Sequence, residues 1–350
     1  MYCLKHHFKR AALNGLYYTK LDKLLASKTS GQGIIFTLHQ VDPNPSDDFS
    51  PNSILKVTPQ FLEQTIKTVQ ARGYEIISLD EMHERLVRTG ESKPYAVFTF
   101  DDGYRDNRDL ALKIFEKYNI PMAIYIVSDY SSGHGELWWL ALEEIIKQNT
   151  SIQDPFVSGQ SHTTKTTEQK YKVFDALYWQ FRYMDQDQQR EKIKDLSKSH
   201  NFDITKLPQD LIMNWEELRE LNQHPLVTLG AHTKSHFAVG LMDRKQAKQE
   251  IVTGLEVMSE QLGAHPSHFA YPYGDATSAG PKDFELASEL NFKTGVTTRK
   301  GVLYENHKNH LTALPRVSLN GHYQKARYVE TFMSGLPFYL SNGFKRMNVT

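Results

Sequence analysis

Short apolar runs rich in β-branched and aromatic residues recur along this chain, and most are followed by a longer stretch with apolar residues at helical spacing. Gly33 to Val41 (GIIFTLHQV) reads as a buried strand. Further strands are expected at Tyr74 to Leu79, Tyr95 to Phe100, Met122 to Val127, Leu226 to Ala231, His268 to Tyr271, Thr294 to Thr297 and Ala313 to Leu319. Between them, Thr58-Pro59 opens a helix with a capping hydroxyl and a proline at the first helical position. Phe61, Leu62, Ile66 and Val69 then follow at helical spacing, and Gly73 ends it. Other helices are expected from Leu79-Asp80 onward, from Asp106 to Tyr118 and from Arg244 to Leu262. Strands alternating with helices imply parallel pairing through right-handed crossovers, an α/β fold.

The alternation loosens between Ser128 and Asn214. Glu136 to Lys147 reads as a helix with Trp138, Trp139, Leu142 and Ile146 on its apolar side, Ser151 to Thr167 is polar and irregular, and Tyr171 to Ser197 reads as charged helix. Because strands resume afterwards, about 129–213 is expected as an insertion into one domain spanning 33–350. Asn214-Trp215 opens the next helix with Asn as its cap. Ahead of the domain, 1–32 is expected as a helical extension. Leu4, Phe8, Ala11, Ala12, Leu16 and, at its edge, Leu24 form one apolar face of a basic helix. Packing of that face on its own domain is the expectation, and peripheral contact with a membrane surface is the alternative.

Charge narrows the partners. Lys plus Arg and Asp plus Glu both number 41 in 350 residues, so no basic excess points to nucleic acid. Cys3 is the single cysteine, which excludes an intrachain disulfide and a thiolate metal cluster. Lys5, Lys9 and Arg10 are not followed by an apolar signal core, and no run of about 18 apolar residues exists. A cytoplasmic protein, peripheral to a membrane at most, is expected. The sequence sets no oligomeric state.

Chemistry-bearing residues stand at strand ends: Asp101-Asp102-Gly103 after one, His232 after another, and Tyr271-Pro272-Tyr273-Gly274 after a third. In barrels of alternating strands and helices, the C-terminal strand ends carry the site. Adjacent carboxylates ionise together readily only beside a cation or strong donors. Asp-Asp-Gly also suits a plain Asx turn, but its position directly after an apolar strand favours a site. His232 and His236, four apart, would share a face of one helical turn within reach of one metal ion. With 15 histidines in the chain such a pair also arises by chance. Joined to a carboxylate, it supplies two nitrogens and one oxygen, with positions left open for water and substrate.

The segments Phe98-Thr-Phe-Asp-Asp-Gly103, His232-Thr-Lys-Ser-His236 and Phe269-Ala-Tyr-Pro-Tyr-Gly274, in this order, resemble the successive motifs of the polysaccharide deacetylase family, also called the NodB-homology or carbohydrate esterase 4 family. Leu38-His39, Thr58-Pro59 and Ala313-Leu-Pro-Arg-Val317 add to the likeness, which covers roughly Gly33 to Leu319. The resemblance implies a distorted (β/α) barrel and one divalent metal, with zinc expected, held by Asp102, His232 and His236. It implies Asp101 as general base, a metal-bound water as nucleophile, and the backbone N–H of Tyr273 at the oxyanion. The substrate implied is an N-acetylated glycan or glycan precursor. Trp138, Tyr271 and Pro272 are expected to line the sugar site, and Thr233 and Ser235 to orient the histidine turn or to lie solvated.

Two departures from the family pattern stand out. Where many members carry an arginine that supports the catalytic aspartate, this chain has Ala270. Arg316 is the expected substitute, with Arg105 as second candidate. The family's Leu-x-His, source of the general acid, is not matched at Leu314-Pro315-Arg316. His310 and His322 lie nearby in sequence, His39 stands after the first strand, and the proton donor stays unassigned. Two histidines and a carboxylate also hold Fe(II) in oxygenases, but there the carboxylate lies close in sequence to the first histidine. Hydrolysis of a non-sugar amide, or a glycan-binding barrel that has lost activity, are the alternatives that remain.

Overall fold

The computed structural model describes residues 2–88 and 93–349, with side chains from residue 7 onward, so the Leu4 end of the expected N-terminal face lies outside the described side chains. Seven parallel strands form the central sheet: β1 (Gly33–Leu38), β2 (Tyr95–Phe100), β3 (Met122–Ile126), β4 (Val227–Ala231), β5 (His268–Ala270), β6 (Thr294–Lys300) and β7 (Leu314–Ser318). Their spatial order is β1-β7-β6-β5-β4-β3-β2, and pairing of β2 with β1 closes the barrel. The two-residue strand Glu75–Ile76 pairs with the start of β2 through Tyr95 and Ala96, while β3 takes the end of β2 through Thr99 and Phe100. An eighth strand is thus reduced to a stub, and this is the barrel's distortion.

Every residue of β1 and β2 is buried, as a parallel strand requires when helices cover one face and packed side chains fill the other. The capping chemistry works as the sequence indicates. Thr58 accepts from the Phe61 N–H at 3.2 Å ahead of helix Pro59–Ala71. Asp243 and Gln246 close the start of helix Arg244–Leu262, and Gly263 ends it in the left-handed region at φ 79. Asn214 and Glu217 form the same box at helix Trp215–Leu221.

Between β3 and β4 the chain adds helices and a small antiparallel hairpin, Ser151–Gln153 with Ser161–Thr163, where an irregular stretch was expected. The expected charged helix over Tyr171 to Ser197 is two helices, Thr167–Tyr183 and Gln186–Ser199. Asp185 breaks it by capping the Gln188 N–H at 3.0 Å. These helices and Trp138–Gln148 bury their own cluster, including Trp138, Leu142, Leu177, Phe181 and Ile193.

Helices Tyr2–Tyr18 and Leu21–Thr29 precede β1. The first lies against helix Ala326–Met333, but not by the face that its apolar residues suggested. Phe8, Ala11 and Ala12 are exposed, Leu16 is half-buried, and Leu24 is exposed. The expectation of an apolar face packed on its own domain is therefore corrected. Another side holds it: Leu13 enters the core, and Arg10 and Asn14 bond to the residues beyond β7.

Candidate active site

β2 ends directly in Asp101, whose N–H donates to the Leu38 carbonyl at the end of β1 at 2.9 Å. Asp102 then turns the chain through left-handed backbone (φ 75), followed by Gly103 at the same angle. Asp102, Thr233, His236 and Tyr273 are all non-glycine residues at positive φ. Such backbone costs on the order of 1–3 kcal/mol per residue and persists only where surroundings enforce it. It is least expected at β-branched Thr233, and nothing in the sequence pattern signals it.

The expected helical turn at His232–His236 is absent: the segment is a loop running off β4. The two imidazoles converge because Thr233 and His236 reverse the chain, not because i and i+4 share a helix face. Contacts from several elements hold the loop. Thr233 Oγ1 accepts from the His236 N–H at 3.0 Å, and Ser235 Oγ donates to Asp129 at 2.6 Å, so both hydroxyls do orient the turn. Glu250 accepts from the Ser235 N–H at 2.6 Å, and Arg190 donates to the Ser235 carbonyl at 2.8 Å. Helix Arg244–Leu262 lies against the loop at Gly254, where a Cβ would come within 2.8 Å of Thr233 and Lys234 backbone atoms.

Asp102, His232 and His236 place their ligand atoms within 4.8 Å of one another, and all three are buried. Asp102 Oδ1 lies 3.6 Å from His232 Nε2 and 3.3 Å from His236 Nε2, with no hydrogen-bond partner of its own. His232 Nδ1 meets the Ala270 carbonyl at 2.7 Å. A carbonyl only accepts, so the proton is on Nδ1 and the Nε2 lone pair faces Asp102. Burial pushes His232 down to about 4, and burial and then the neighbouring His232 push His236 well below its ordinary value. Both imidazoles are therefore neutral. Burial and then the charge of Asp101 push Asp102 well above the usual carboxylate range.

Asp101 behaves oppositely. Burial acts to raise it, but the Arg316 guanidinium, foremost among the opposing influences, holds it down to about 2. Arg316, 1% exposed, reaches from β7 across β1. Nη1 and Nη2 each donate to one Asp101 oxygen at 2.7 Å, with Nε on the Thr297 carbonyl at 2.9 Å and Nη1 also on Thr99 Oγ1 at 3.1 Å. Arg105, the second candidate, pairs with Glu217 at 2.9 Å and sits among carbonyls of 209–212. Half-buried His39 lies in the fields of Asp101 and Arg316, and itself acts on His232 and His236. His307 Nδ1 accepts from the Tyr304 N–H at 2.9 Å within its own turn.

The aromatic shell differs from expectation. Trp138 is fully buried, its indole N–H donating to the Tyr273 hydroxyl at 2.9 Å, so it supports Tyr273 instead of facing sugar. Tyr271 is equally buried, packs on Phe269 and Phe284 and donates to the Thr312 carbonyl at 2.8 Å. It belongs to the barrel core, and Pro272 is also buried. Around His236 stand Tyr273 (4.8 Å between ring centroids), Trp139 (5.2 Å) and Tyr130 (5.9 Å). The Arg182 guanidinium lies 3.8 Å over the Tyr273 ring. Trp139, Tyr130, Arg182 and Arg190 come from the stretch between β3 and β4, from which the sequence pointed to the site through its tryptophan pair alone.

The family model for polysaccharide deacetylase matches residues 88–294, more than half of the chain. The chain belongs to the polysaccharide deacetylase family. Among solved structures, a polysaccharide deacetylase fold of this kind recurs in IcaB from Ammonifex degensii (16% identity, 86% of this chain and 97% of that one, TM-score 0.54). It recurs in the Streptococcus pyogenes deacetylase PplD in complex with acetate (17% identity, 82% and 92%, TM-score 0.52). A de-N-acetylase from Aggregatibacter actinomycetemcomitans is similar (13% identity, 83% and 95%, TM-score 0.51). At these identities the likeness is one of fold. No curated protein sequence matches the chain.

Proposed function

We propose that this deacetylase removes N-acetyl groups from an amino-sugar glycan or glycan precursor, with one divalent cation, zinc by preference, held by Asp102, His232 and His236. The observation that carries the reading is the buried, unpartnered Asp102 Oδ1 facing two neutral imidazoles. One oxygen and two nitrogens suit such a cation, and a carboxylate so placed is unstable without one. A cation bound there polarises the acetamide carbonyl and acidifies water.

The chain's own groups do the rest. Asp101, kept ionised by Arg316, accepts the attacking water's proton at Oδ1, which has lone-pair capacity beyond its bond to Nη1. The two-pronged bond fixes the carboxylate's plane, so the base acts through position more than through basicity. The Tyr273 N–H is assigned to the oxyanion, its backbone held by the Thr298 hydroxyl on the Tyr273 carbonyl at 2.6 Å. His39 is assigned to the departing amine: burial lowers it below its ordinary value and keeps the ring neutral, so it passes on to the amine the proton that Asp101 takes from water. It is the imidazole in the field of Asp101 and Arg316 that the cation cluster does not use.

The test is acetate release from N-acetylglucosamine oligomers alongside metal content. Parent protein should release acetate, and Asp101→Asn should keep about one equivalent of cation while losing release. Cation bound with no acetate from any N-acetylated glycan would favour a glycan-binding barrel. Release from non-sugar acetamides alone would move the substrate out of the glycans.

A further inference from the structure

The first helix turns Arg10, Leu13, Asn14, Leu16 and Tyr17 toward the body. Arg10 Nε donates to the His322 carbonyl at 3.1 Å, Arg327 Nε donates to Asn14 Oδ1 at 2.8 Å, and Leu13 is the apolar side chain it buries. Phe8, Ala11, Ala12, Gly15 and Tyr18 recur at helical spacing and are all exposed, Phe8 and Tyr18 each at 69%. They span a sector of about 120° at 3.6 residues per turn. An amphipathic helix on a soluble fold ordinarily buries that stripe; here it faces away from the body. The neighbouring elements continue the pattern. Leu21 and Leu24 are exposed on helix Leu21–Thr29, as are Leu340 and Phe344 at and beyond the end of helix Leu336–Ser341, which packs beside it.

The charge around this surface is one-sided. Residues 1–29 contain Lys5, Lys9, Arg10, Lys20, Lys23 and Lys28 against Asp22 alone, and Asp22 is buried. Residues 335–350 contain Lys345 and Arg346 and no acid. That is eight basic side chains against one acidic. With 41 of each sign in the whole chain, the remainder holds 33 basic and 40 acidic. The neutral total therefore conceals a cationic pole on an anionic body.

We propose that this pole docks on an anionic lipid surface, with Phe8, Tyr18 and Leu24 entering the headgroup boundary and the surrounding lysines meeting lipid phosphates. A second copy of the chain would set like charge against like charge. A lipid surface supplies both an apolar layer for the rings and negative charge for the lysines. Among the described residues no helix is long and apolar enough to cross a membrane, so the contact is one of lying on the surface. The chain passes from Arg10, bonded to His322 in the loop after β7, through the rest of the first helix and helix Leu21–Thr29 to Gln32, whose N–H donates to the Leu303 carbonyl just before β1. The docking surface thus follows the barrel's flank from the site end to the base, and a docked molecule holds its mouth beside the bilayer.

The test is flotation of the full chain with vesicles of equal parts phosphatidylglycerol and phosphatidylcholine, and with phosphatidylcholine alone. Binding is expected to the first and not the second, and to weaken at high salt. Phe8→Glu with Leu24→Glu should lower the bound fraction at least about tenfold while leaving the melting temperature and acetate release from soluble oligomers unchanged, because both side chains are exposed and neither belongs to the site. No flotation with either vesicle, or equal flotation with both at any salt, overturns the proposal. So does a dimer in sedimentation that the same double variant dissociates, since that assigns the face to a second copy. Vesicle binding is read independently of catalysis, so its failure and that of the deacetylase reading are separable.

Discussion

Replacing Arg316 by methionine isolates what the guanidinium does for Asp101. In the parent, Asp101 is held at about 2 against an ordinary 3.8. A shift of nearly two pH units corresponds to about 2–3 kcal/mol of stability. The folded value is depressed, so this contribution is complete above the unfolded value and is lost as pH falls through about 2. Methionine fills most of the same volume but leaves a buried carboxylate alone, and removing one partner of a buried pair costs about 3–5 kcal/mol. In the variant, burial acts unopposed by Arg316 and raises Asp101 above its ordinary value, so that acid relieves the defect by protonating it. Urea unfolding of metal-stripped protein should show the full deficit at neutral pH and a clearly smaller one near pH 4. Turnover should fall, and the acidic limb of the activity profile should move to higher pH. An equal stability loss at both pH values, with turnover intact, would show that Arg316 acts as packing and that Asp101 owes it nothing electrostatic.

Other substitutions probe separate parts of the centre. His236→Ala should lose the bound cation, measured by mass spectrometry of reconstituted protein; a full equivalent retained would remove His236 from the ligand set. His39→Asn should keep the cation and lower kcat by about 10²–10⁴-fold, with the loss smallest for substrates whose leaving amine is least basic; a uniform loss across leaving groups argues against proton donation. Gly254→Val should push helix Arg244–Leu262 off the histidine loop and weaken cation affinity, detectable by competition with a chelator, and unchanged affinity would mean that the loop holds its shape without the helix. Trp138→Phe removes the indole bond to the Tyr273 hydroxyl, a loss of roughly 1 kcal/mol; kcat should fall more than KM rises if Tyr273 orients at the oxyanion, whereas a change confined to KM would return the indole to sugar binding.

The barrel and the carboxylate pair were legible because apolar runs end abruptly in polar residues. β2 stops at Asp101 and β4 at His232, and such breaks survive any uncertainty in strand bounds. Arg316 was found for the same reason, at the end of the last apolar run. The histidine loop was misread as a helical turn because a spacing of four is all the sequence offers there. Its real shape comes from Asp129, Arg190 and Glu250, distant in the chain. Trp138 and Tyr271 were expected to meet sugar because aromatic residues near a site serve both uses, and only packing distinguishes them. In the first helix the apolar face was identified from Phe8, Ala11 and Ala12, yet periodicity contains no information about which way a face points. Arg10 and Asn14 decided that through bonds to residues 312 and 313 positions away.

The clasp between β7 and β2 also sets an order on the birth of the molecule. Asp101 and Arg316 are 215 residues apart, so at roughly 5–20 residues per second of synthesis the arginine leaves the ribosome about 10–40 s after its partner. Throughout that interval the early strands exist with a carboxylate that has no counter-ion, and β1 lacks the neighbour that completes its pairing. A nascent chain cannot close around the unneutralised Asp101 without heavy loss of stability. The last strand therefore completes the whole barrel: until Arg316 is in place, β1 lacks its second neighbour and Asp101 its supporting charge.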